Sequence, residues 1–288
     1  MSTLTAPQQS DTAAWEATRI GRFTASEVGK LFTEPRTLTA QHVREYCYLL
    51  PDTKPTAKTF KTELREKIRE AGITLFGDTA LGLIASKAGE RLTGHPEAFA
   101  STRSMDRGTM LEHAARHLLS RYWRPIDQVT FQAYGDNAGA TPDGLTDGGQ
   151  STVDIKCPES FGDVILFDDV ITEGDFDALE SWDKNYAWQI MMQAKCAGTR
   201  YAWLVYFTDR LPLRKINDIE RTEVQAILDY VGERMSEENQ FPKTYTYASD
   251  GFHFAAKRFE LIEERSARID AVLKAAEDEC QRFMALMQ

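Results

Sequence analysis

Gly139-Ala-Thr-Pro-Asp143-Gly-Leu-Thr-Asp147-Gly-Gly-Gln-Ser151-Thr-Val-Asp154-Ile-Lys156-Cys-Pro158 is the stretch that decides the fold. Two short arms flank a turn at residues 146–150, where Asp147-Gly148 is a strong hairpin signal. The return arm, Ser151 to Cys157, has β-branched residues at Thr152, Val153 and Ile155, which suits a strand. Side chains alternate faces along a strand, so Val153, Ile155 and Cys157 point one way and Asp154 and Lys156 the other. That second face presents a carboxylate beside an ammonium. Asp143 ends the first arm between a Pro and a Gly that restrict the backbone. Two converging carboxylates make a hard-oxygen site suited to Mg²⁺, with Mn²⁺ as a substitute. Lys156 beside them could orient or deprotonate a water, or neutralise charge on a phosphate. Both carboxylates read as exposed groups outside the core.

The spacing of Pro142-Asp143, ten residues, then Asp154-x-Lys156 resembles the PD-(D/E)xK nuclease motif. An ordinary hairpin with a solvated acidic face would read the same way, and the rest of the chain decides between them.

The chain has 288 residues, 42% of them apolar and 27% charged, enough for a full core. No apolar run approaches the roughly 20 residues needed to span a bilayer, so no membrane role is expected. The polar start lacks a signal pattern, which suggests a cytoplasmic protein. Cys47, Cys157, Cys196 and Cys280 are scattered without a CxxC, which argues for reduced thiols and against a zinc or iron–sulfur site. The net charge of −10 opposes a generic nucleic-acid binder. A nuclease with this balance must concentrate its Lys and Arg locally.

Residues 1–10 read as a disordered tail and 11–20 as a short helix ending at Gly21. Thr24-Ala-Ser-Glu27 fits a capping box. Residues 36–104 read as a helical insertion, with helices around 41–49, 60–71 and 76–92. Met105 to Trp123 carries the clearest apolar stripe, through Met110, Leu111, Ala114, Ala115, Leu118, Leu119 and Tyr122. Glu112 borders that stripe, either as an i,i+4 partner of Arg116 or as a third carboxylate leaning toward a metal. Strands are expected at 129–134, 137–145, 151–157 and 200–207. Residues 159–181 read as an acidic loop anchored by Ile165, Leu166 and Phe167. A helix over 182–197 puts Tyr186, Gln189, Ile190 and Gln193 on one side, and buried amides there need partners. Helices are expected over 217–235 and 254–288. The last has a seam at Ile262, Ser266, Ile269, Leu273, Ala276, Cys280, Phe283 and Met287, fit to dock on the parent domain.

Four ordered segments together resemble the phage lambda-type exonucleases, also called YqaJ-type recombinase nucleases. Trp15-Glu-Ala-Thr-Arg19 through Thr24-Ala-Ser-Glu-Val28 is similar to that family's opening motif. Arg107-Gly-x-x-x-Glu112-x-x-Ala-Arg116 resembles its acidic helix. Ala140-Thr-Pro-Asp-Gly-Leu with Asp154-Ile-Lys-Cys-Pro resembles its paired strands. Tyr186-x-x-Gln189, followed by Ala-Gly-Thr-x-x-Ala-Trp-Leu-Val, resembles its last motif. The matches cover about residues 15–208; residues 36–104 and 210–288 carry none.

The resemblance implies an α/β, restriction-endonuclease-like core with a mixed sheet flanked by helices, and extra helices at both ends. It places the catalytic core at 105–208 and a C-terminal helical region at 209–288, within one nuclease domain. It implies a Mg²⁺-dependent exonuclease that digests linear duplex DNA from a 5′ end and leaves 3′ single strands for recombination by strand annealing. Asp143, Asp154 and the Ile155 carbonyl would bind the metal, with Glu112 assisting directly or through water. Lys156 would position the attacking water beside Gln189, with Tyr186 in support. Arg19, Ser26 and Thr141 would line a pocket for the 5′-phosphate. The family often has Glu where Asp154 stands, so the metal here would sit closer to the strand or keep an extra water. A homotrimer and a single-strand annealing partner are also implied. Two other readings stand: a structure-specific endonuclease with the same core, and a catalytically idle DNA-binding module.

Overall fold

The computed structural model describes residues 17–54, 59–97, 101–239 and 244–287. The tail at 1–10, Trp15 and most of the expected helix at 11–20 lie outside them; Ala17–Arg19 is helical and the chain turns at Gly21, with φ of +68°. Among the described residues, eight strands form two mixed sheets. Strands β1 (Phe23–Thr24), β2 (Gln132–Tyr134) and β3 (Ala138–Ala140) make one, in the order β1-β3-β2. Strands β4 (Gly144–Thr146), β5 (Ser151–Lys156), β6 (Tyr201–Thr208), β7 (Arg214–Lys215) and β8 (Gly251–Glu260) make the other, in the order β4-β5-β6-β8-β7. Ten α-helices surround them: α1 (Ala25–Leu31), α2 (Ala40–Tyr46), α3 (Phe60–Glu70), α4 (Asp78–Thr93), α5 (Arg103–Tyr122), α6 (Phe161–Glu173), α7 (Phe176–Trp182), α8 (Lys184–Ala197), α9 (Asp218–Asn239) and α10 (Glu263–Ala285).

The larger sheet separates two apolar clusters. Val153, Ile155, Val205 and Phe207 face α5 and α9, whose Leu111, Leu118 and Leu228 complete one core. Ala202, Leu204 and Tyr206 face the other way, toward α8, α10 and, further out, α1 and α4. Residues 36–75 bury their own small cluster of Leu38, Phe60, Leu64 and Ile68. β5 and β6 are parallel, which requires a long crossover, and α6, α7 and α8 supply it.

Several expectations need correction. The arm at 137–145 is not one strand: it breaks at Thr141-Pro142-Asp143, and its halves join different sheets. Pro142 has no N–H for a ladder. Beyond it, Gly144 lets the chain pass the Asp127 backbone so closely that a Cβ would stand 2.9 Å from the Asp127 oxygen. Of the strand expected at 129–134, only Gln132–Tyr134 forms. Residues 159–181 are two helices rather than a loop. Ser160 caps the first by accepting from Asp163 N at 3.0 Å, and Asp175 caps the second by accepting from Ala178 N at 2.9 Å. Phe167 is the anchor, packed on Trp182; Ile165 and Leu166 are 67% and 49% exposed. Residues 254–260 are strand rather than helix, because β8 pairs antiparallel with β6 from Tyr201↔Glu260 to Thr208↔His253. The last helix therefore begins at Glu263, and it docks on α4 and α8 through buried Ile269, Leu273, Ala276 and Cys280.

Candidate active site

Alternation in β5 and the parallel crossover together set the site. Val153 and Ile155 fill one core, so Asp154 turns to the other face, under α8. It is 1% exposed there, which overturns the expectation of an exposed carboxylate. A carboxylate so buried needs partners. Oδ1 accepts from Gln189 Nε2 and Gln193 Nε2, each at 2.8 Å. These amides are four residues apart on α8 and thus share a helical face. Oδ2 has no hydrogen-bond partner; it faces Lys156 Nζ at 2.8 Å, an ion pair outside hydrogen-bond geometry.

Lys156 ends the strand, with Gln189 Oε1 accepting from its Nζ at 3.3 Å and the Tyr186 ring 4.7 Å away. Burial works against the ammonium, but Asp154 and Asp143 outweigh it and raise the pKa above the ordinary lysine value. The side chain is therefore a fixed positive charge at neutral pH, suited to orienting water or phosphate rather than to taking a proton.

Asp143 sits in the break between the two sheets. Its backbone N donates to Val153 O at 3.0 Å, and Ile155 N donates to its Oδ2 at 2.5 Å. Arg116 Nη1 donates to its carbonyl at 3.0 Å. Glu112, one turn before Arg116 on α5, stands only 3.9 Å from that guanidinium, which is engaged with Asp143 and with His113 Nδ1 at 2.8 Å. A simple surface pair therefore does not account for Glu112. Burial raises its pKa, and Asp154 adds to the shift. Asp143 is pushed well above the ordinary carboxyl value, by burial first and then by Glu112 and Asp154. Burial likewise holds His113 neutral, lowering it to about 4, and raises the Cys157 thiol well above its ordinary value, leaving no nucleophilic sulfur here.

A cleft of about 470 Å³ opens on this cluster, lined by Glu112, Ile155, Lys156 and Tyr186 with Met105, Glu159 and Asp163 at its margin. A second cavity of about 160 Å³ is lined by Arg19, Thr24, Ser26, Thr141, Gln189 and Gln193. The two adjoin at the Lys156–Gln189 hydrogen bond. The second cavity is built by the opening segment: Thr24 caps α1, and Glu27 Oε2 accepts from Thr24 N at 3.1 Å and Thr24 Oγ1 at 2.7 Å. Glu90 accepts from Gly21 N at 2.7 Å while Arg91 Nε donates to Gly21 O at 2.8 Å, fixing the turn that carries Arg19 toward Thr24.

The structure thus brings Glu112, Ile155, Lys156 and Tyr186 to one cleft, with Asp143 and Asp154 hydrogen-bonded or paired to them behind it, and Gln189 with Arg19, Ser26 and Thr141 to its neighbour. Sequence reasoning missed the roles of Gln193, Arg116 and Arg107. Gln193 was visible as a polar residue on a buried helical face, four after Gln189, but its partner lies on another element. Arg107 Nη1 donates to the carbonyls of Cys157 and Pro158 at 3.1 and 3.3 Å and its Nη2 to Asp209 Oδ1 at 3.3 Å, pinning the exit of β5. No sequence signal marked Asp209 as its counter-ion.

Among the described residues, no three His, Cys, Asp or Glu side chains form a ready-made metal cluster. The donor chemistry still fits a hard divalent cation. Asp154 leaves a buried oxygen without a hydrogen bond; burial first, and then neighbouring carboxylates, oppose ionisation of Asp143 (Glu112 and Asp154) and of Glu112 (Asp154), which a cation would relieve. The third protein ligand would then be a backbone carbonyl, that of Ile155.

No protein-family model matches the sequence, and no curated protein matches it. The fold does match solved structures. An alkaline exonuclease from Laribacter hongkongensis, LHK-Exo, superposes with a TM-score of 0.55 at 19% identity, covering 96% of this chain and 95% of that one. The same protein in complex with dAMP gives the same values. A phage-related exonuclease from Haemophilus somnus 129PT superposes at 0.55 with 17% identity, covering 93% of this chain and 96% of that one. The chain therefore has the mixed α/β fold of these exonucleases over nearly its whole length, the fold expected from its central motif.

Proposed function

We propose that this protein is a Mg²⁺-dependent exonuclease that digests linear double-stranded DNA from a 5′-phosphorylated end. The observation that carries this reading is Asp154, buried at 1% exposure, gripped by two amides on one oxygen and left with Lys156 alone on the other. A fold does not bury a carboxylate and two glutamines together for stability, since an apolar set of equal volume would serve as well or better. The shared fold with two exonucleases adds to it.

Asp143, Asp154 and the Ile155 carbonyl would hold the cation, with Glu112 reaching it through water. When bound, the cation lowers the pKa of a water and polarises a phosphodiester oxygen. The chain's own groups do the rest. Lys156, permanently charged, orients the attacking water and stabilises negative charge building on the phosphate. Gln189 bonds both Lys156 and Asp154, so it fixes the ammonium relative to the carboxylate. Gln193 prevents Asp154 from rotating. Arg116 and Ile155 N hold Asp143 at both ends, by its carbonyl and its carboxylate.

The second cavity supports the proposed direction. A terminal 5′-phosphate carries more negative charge than a phosphodiester, and Arg19 with the hydroxyls of Ser26 and Thr141 offers a guanidinium and two donors for it. The 3′ single strand left behind would pass to an annealing protein in recombination, with the enzyme working as a homotrimer around its substrate. The test is digestion of end-labelled linear duplex with and without a 5′-phosphate. Arg19→Ala should slow the phosphorylated substrate strongly and the 5′-hydroxyl substrate little. Equal slowing of both would make Arg19 a general DNA contact. Cleavage of covalently closed circular DNA would instead favour an endonuclease, and no cleavage with Mg²⁺ would favour an idle binding module.

A further inference from the structure

A polyanion-binding enzyme with a net charge of −10 must gather cations somewhere, and the catalytic cleft does not do it: its margin carries Glu159 and Asp163. The cations lie on the opposite face of the larger sheet. Arg258 sits over the Tyr201 ring at 4.3 Å and 5.8 Å from that of Trp203. Arg124 lies between Trp203 at 4.3 Å and Trp123 at 4.4 Å. The row continues through Phe254, 6.1 Å from Trp123, to Arg214 at 4.9 Å. Arginine and aromatic planes alternate across β6, β8 and the end of α5. α5 stops at Tyr122, so the row begins where the covering helix ends.

Packing explains part of this. Arg124 pairs with Asp147, which also accepts from Trp203 Nε1 at 3.0 Å. Arg258 and Arg214 are different: both are exposed, and among the described residues neither has a carboxylate or hydrogen-bond partner. Some exposed guanidinium groups elsewhere are paired, as in Arg69–Glu34, Arg121–Glu220 and Arg282–Glu279, and others such as Arg36, Arg44, Arg103 and Arg221 are not, among the described residues; what sets Arg258 and Arg214 apart is that each lies over an aromatic ring. Unpaired guanidinium planes interleaved with rings match a chain of phosphates and stackable bases. A duplex hides its base faces, whereas a single strand offers them. Trp203 pairs with Val153 and Tyr206 with Lys156, so Trp203 lies about 10 Å along the sheet from the level of Lys156, while Phe254, opposite Phe207, lies near that level on the other face.

We infer that this arginine–aromatic row is a binding track for single-stranded DNA, distinct from the cleavage site. The identity of the strand rests on the exonuclease reading, in which digestion of one strand leaves its complement unpaired. The track would hold that strand and keep it from re-pairing.

The test uses the full-length protein in EDTA, so no cleavage is involved. A fluorescein-labelled oligothymidylate is titrated by anisotropy at several salt concentrations. Arg214→Glu/Arg258→Glu should weaken binding at least about tenfold and flatten the slope of log K against log salt by about 1.4, some 0.7 per lost phosphate contact. Binding of a blunt duplex should stay within about twofold. Unchanged oligothymidylate affinity and slope would overturn the inference. So would an equal loss on duplex, which would mark a general polyanion patch. A change of oligomeric state with unchanged affinity would make the row a protein interface and overturn it too. If the Glu variant fails to fold, Arg214→Gln/Arg258→Gln carries the same expectation for the slope, and an unchanged slope overturns the track. The cleavage site is judged separately: wild-type nuclease activity in Asp154→Asn would sink that assignment and leave the oligothymidylate result standing.

Discussion

Gln193→Leu should separate the architecture of the site from the stability of the protein. Gln193 is 2% exposed; its Nε2 donates to Asp154 Oδ1 at 2.8 Å, while its Oε1 is buried with no hydrogen-bond partner. Replacing it with Leu, close in volume, loses one hydrogen bond to a charged acceptor, worth about 1.5–3 kcal/mol. It also removes an unsatisfied buried oxygen, which costs about 1–3 kcal/mol to keep. The two nearly cancel, and a net effect of about 1 kcal/mol shifts the melting temperature by roughly 2–4 °C at this size. The effect on the site does not cancel. Asp154 keeps one amide and gains freedom to rotate, and losing such an outer partner of a metal ligand typically costs about 10–100-fold in metal affinity or activity. The assays are a Mg²⁺ titration of digestion rate on linear duplex, and melting curves with and without Mg²⁺. The expected result is a near-native melt without metal, a smaller stabilisation on adding Mg²⁺, and a higher Mg²⁺ requirement. A variant with a native Mg²⁺ requirement and a melt lowered by more than about 10 °C would show that Gln193 is only a core hydrogen bond and refute the reasoning.

Asp143→Asn should abolish cleavage yet raise the melting temperature of the metal-free protein at neutral pH. The folded pKa of Asp143 stands well above its ordinary 3.8, so the native state holds the extra proton and loses stability as pH rises through that window; Asn removes this penalty. A lower melt at pH 7, or a difference that does not shrink toward pH 4, would contradict it. Glu27→Gln should do the reverse. Burial opposes its charge, but Lys87 and Thr24 more than offset that and depress the folded pKa below 4.5, so its stabilising contribution is present above that value and lost as pH falls through the folded pKa. Melting curves should show a deficit at pH 7 that closes in acid. Glu112→Gln should cut turnover by at least about tenfold, since its 3.9 Å separation from Arg116 leaves little surface-pair energy to lose; normal turnover with a slightly lower melt would restore the pairing with Arg116.

Local patterns were legible where a short segment fixes its own partners. The Thr24 cap, the apolar stripe of α5 and the alternation of β5 all depend on residues a few positions apart, and the structure realises each. β8 was illegible for the opposite reason. Residues 254–260 are flanked by a helical seam, and only pairing with β6, about 50 residues away, makes them strand. In α6 and α7 the signals were present, as Ser160 before Asp163 and Asp175 before Ala178, but the acidic composition of 159–181 masked them.

The break at Thr141-Pro142-Asp143 shows why the motif's residues come together in a geometry that did not follow from the motif. A continuous hairpin would place Asp143 on a ladder, with its side chain directed by the pleat. Instead the chain leaves one sheet at Ala140 and enters the other at Gly144, and Asp143 lies in the gap. There its N donates to Val153 O and its carboxylate accepts from Ile155 N, so it is tied to β5 from outside the ladder. The same break leaves Thr141 exposed on the far side of Pro142, in the cavity with Arg19 and Ser26. The break at this proline thus places Asp143 with the carboxylate cluster and Thr141 with the neighbouring pocket. If that division is what couples end recognition to cleavage, moving the break should uncouple them. Pro142→Ala restores an N–H and lets the two arms approach one continuous strand. The expected outcome is a protein that still cleaves but no longer distinguishes 5′-phosphate from 5′-hydroxyl ends. Full discrimination at a native rate would mean that Gly144 and the Asp127 contact hold the break without Pro142.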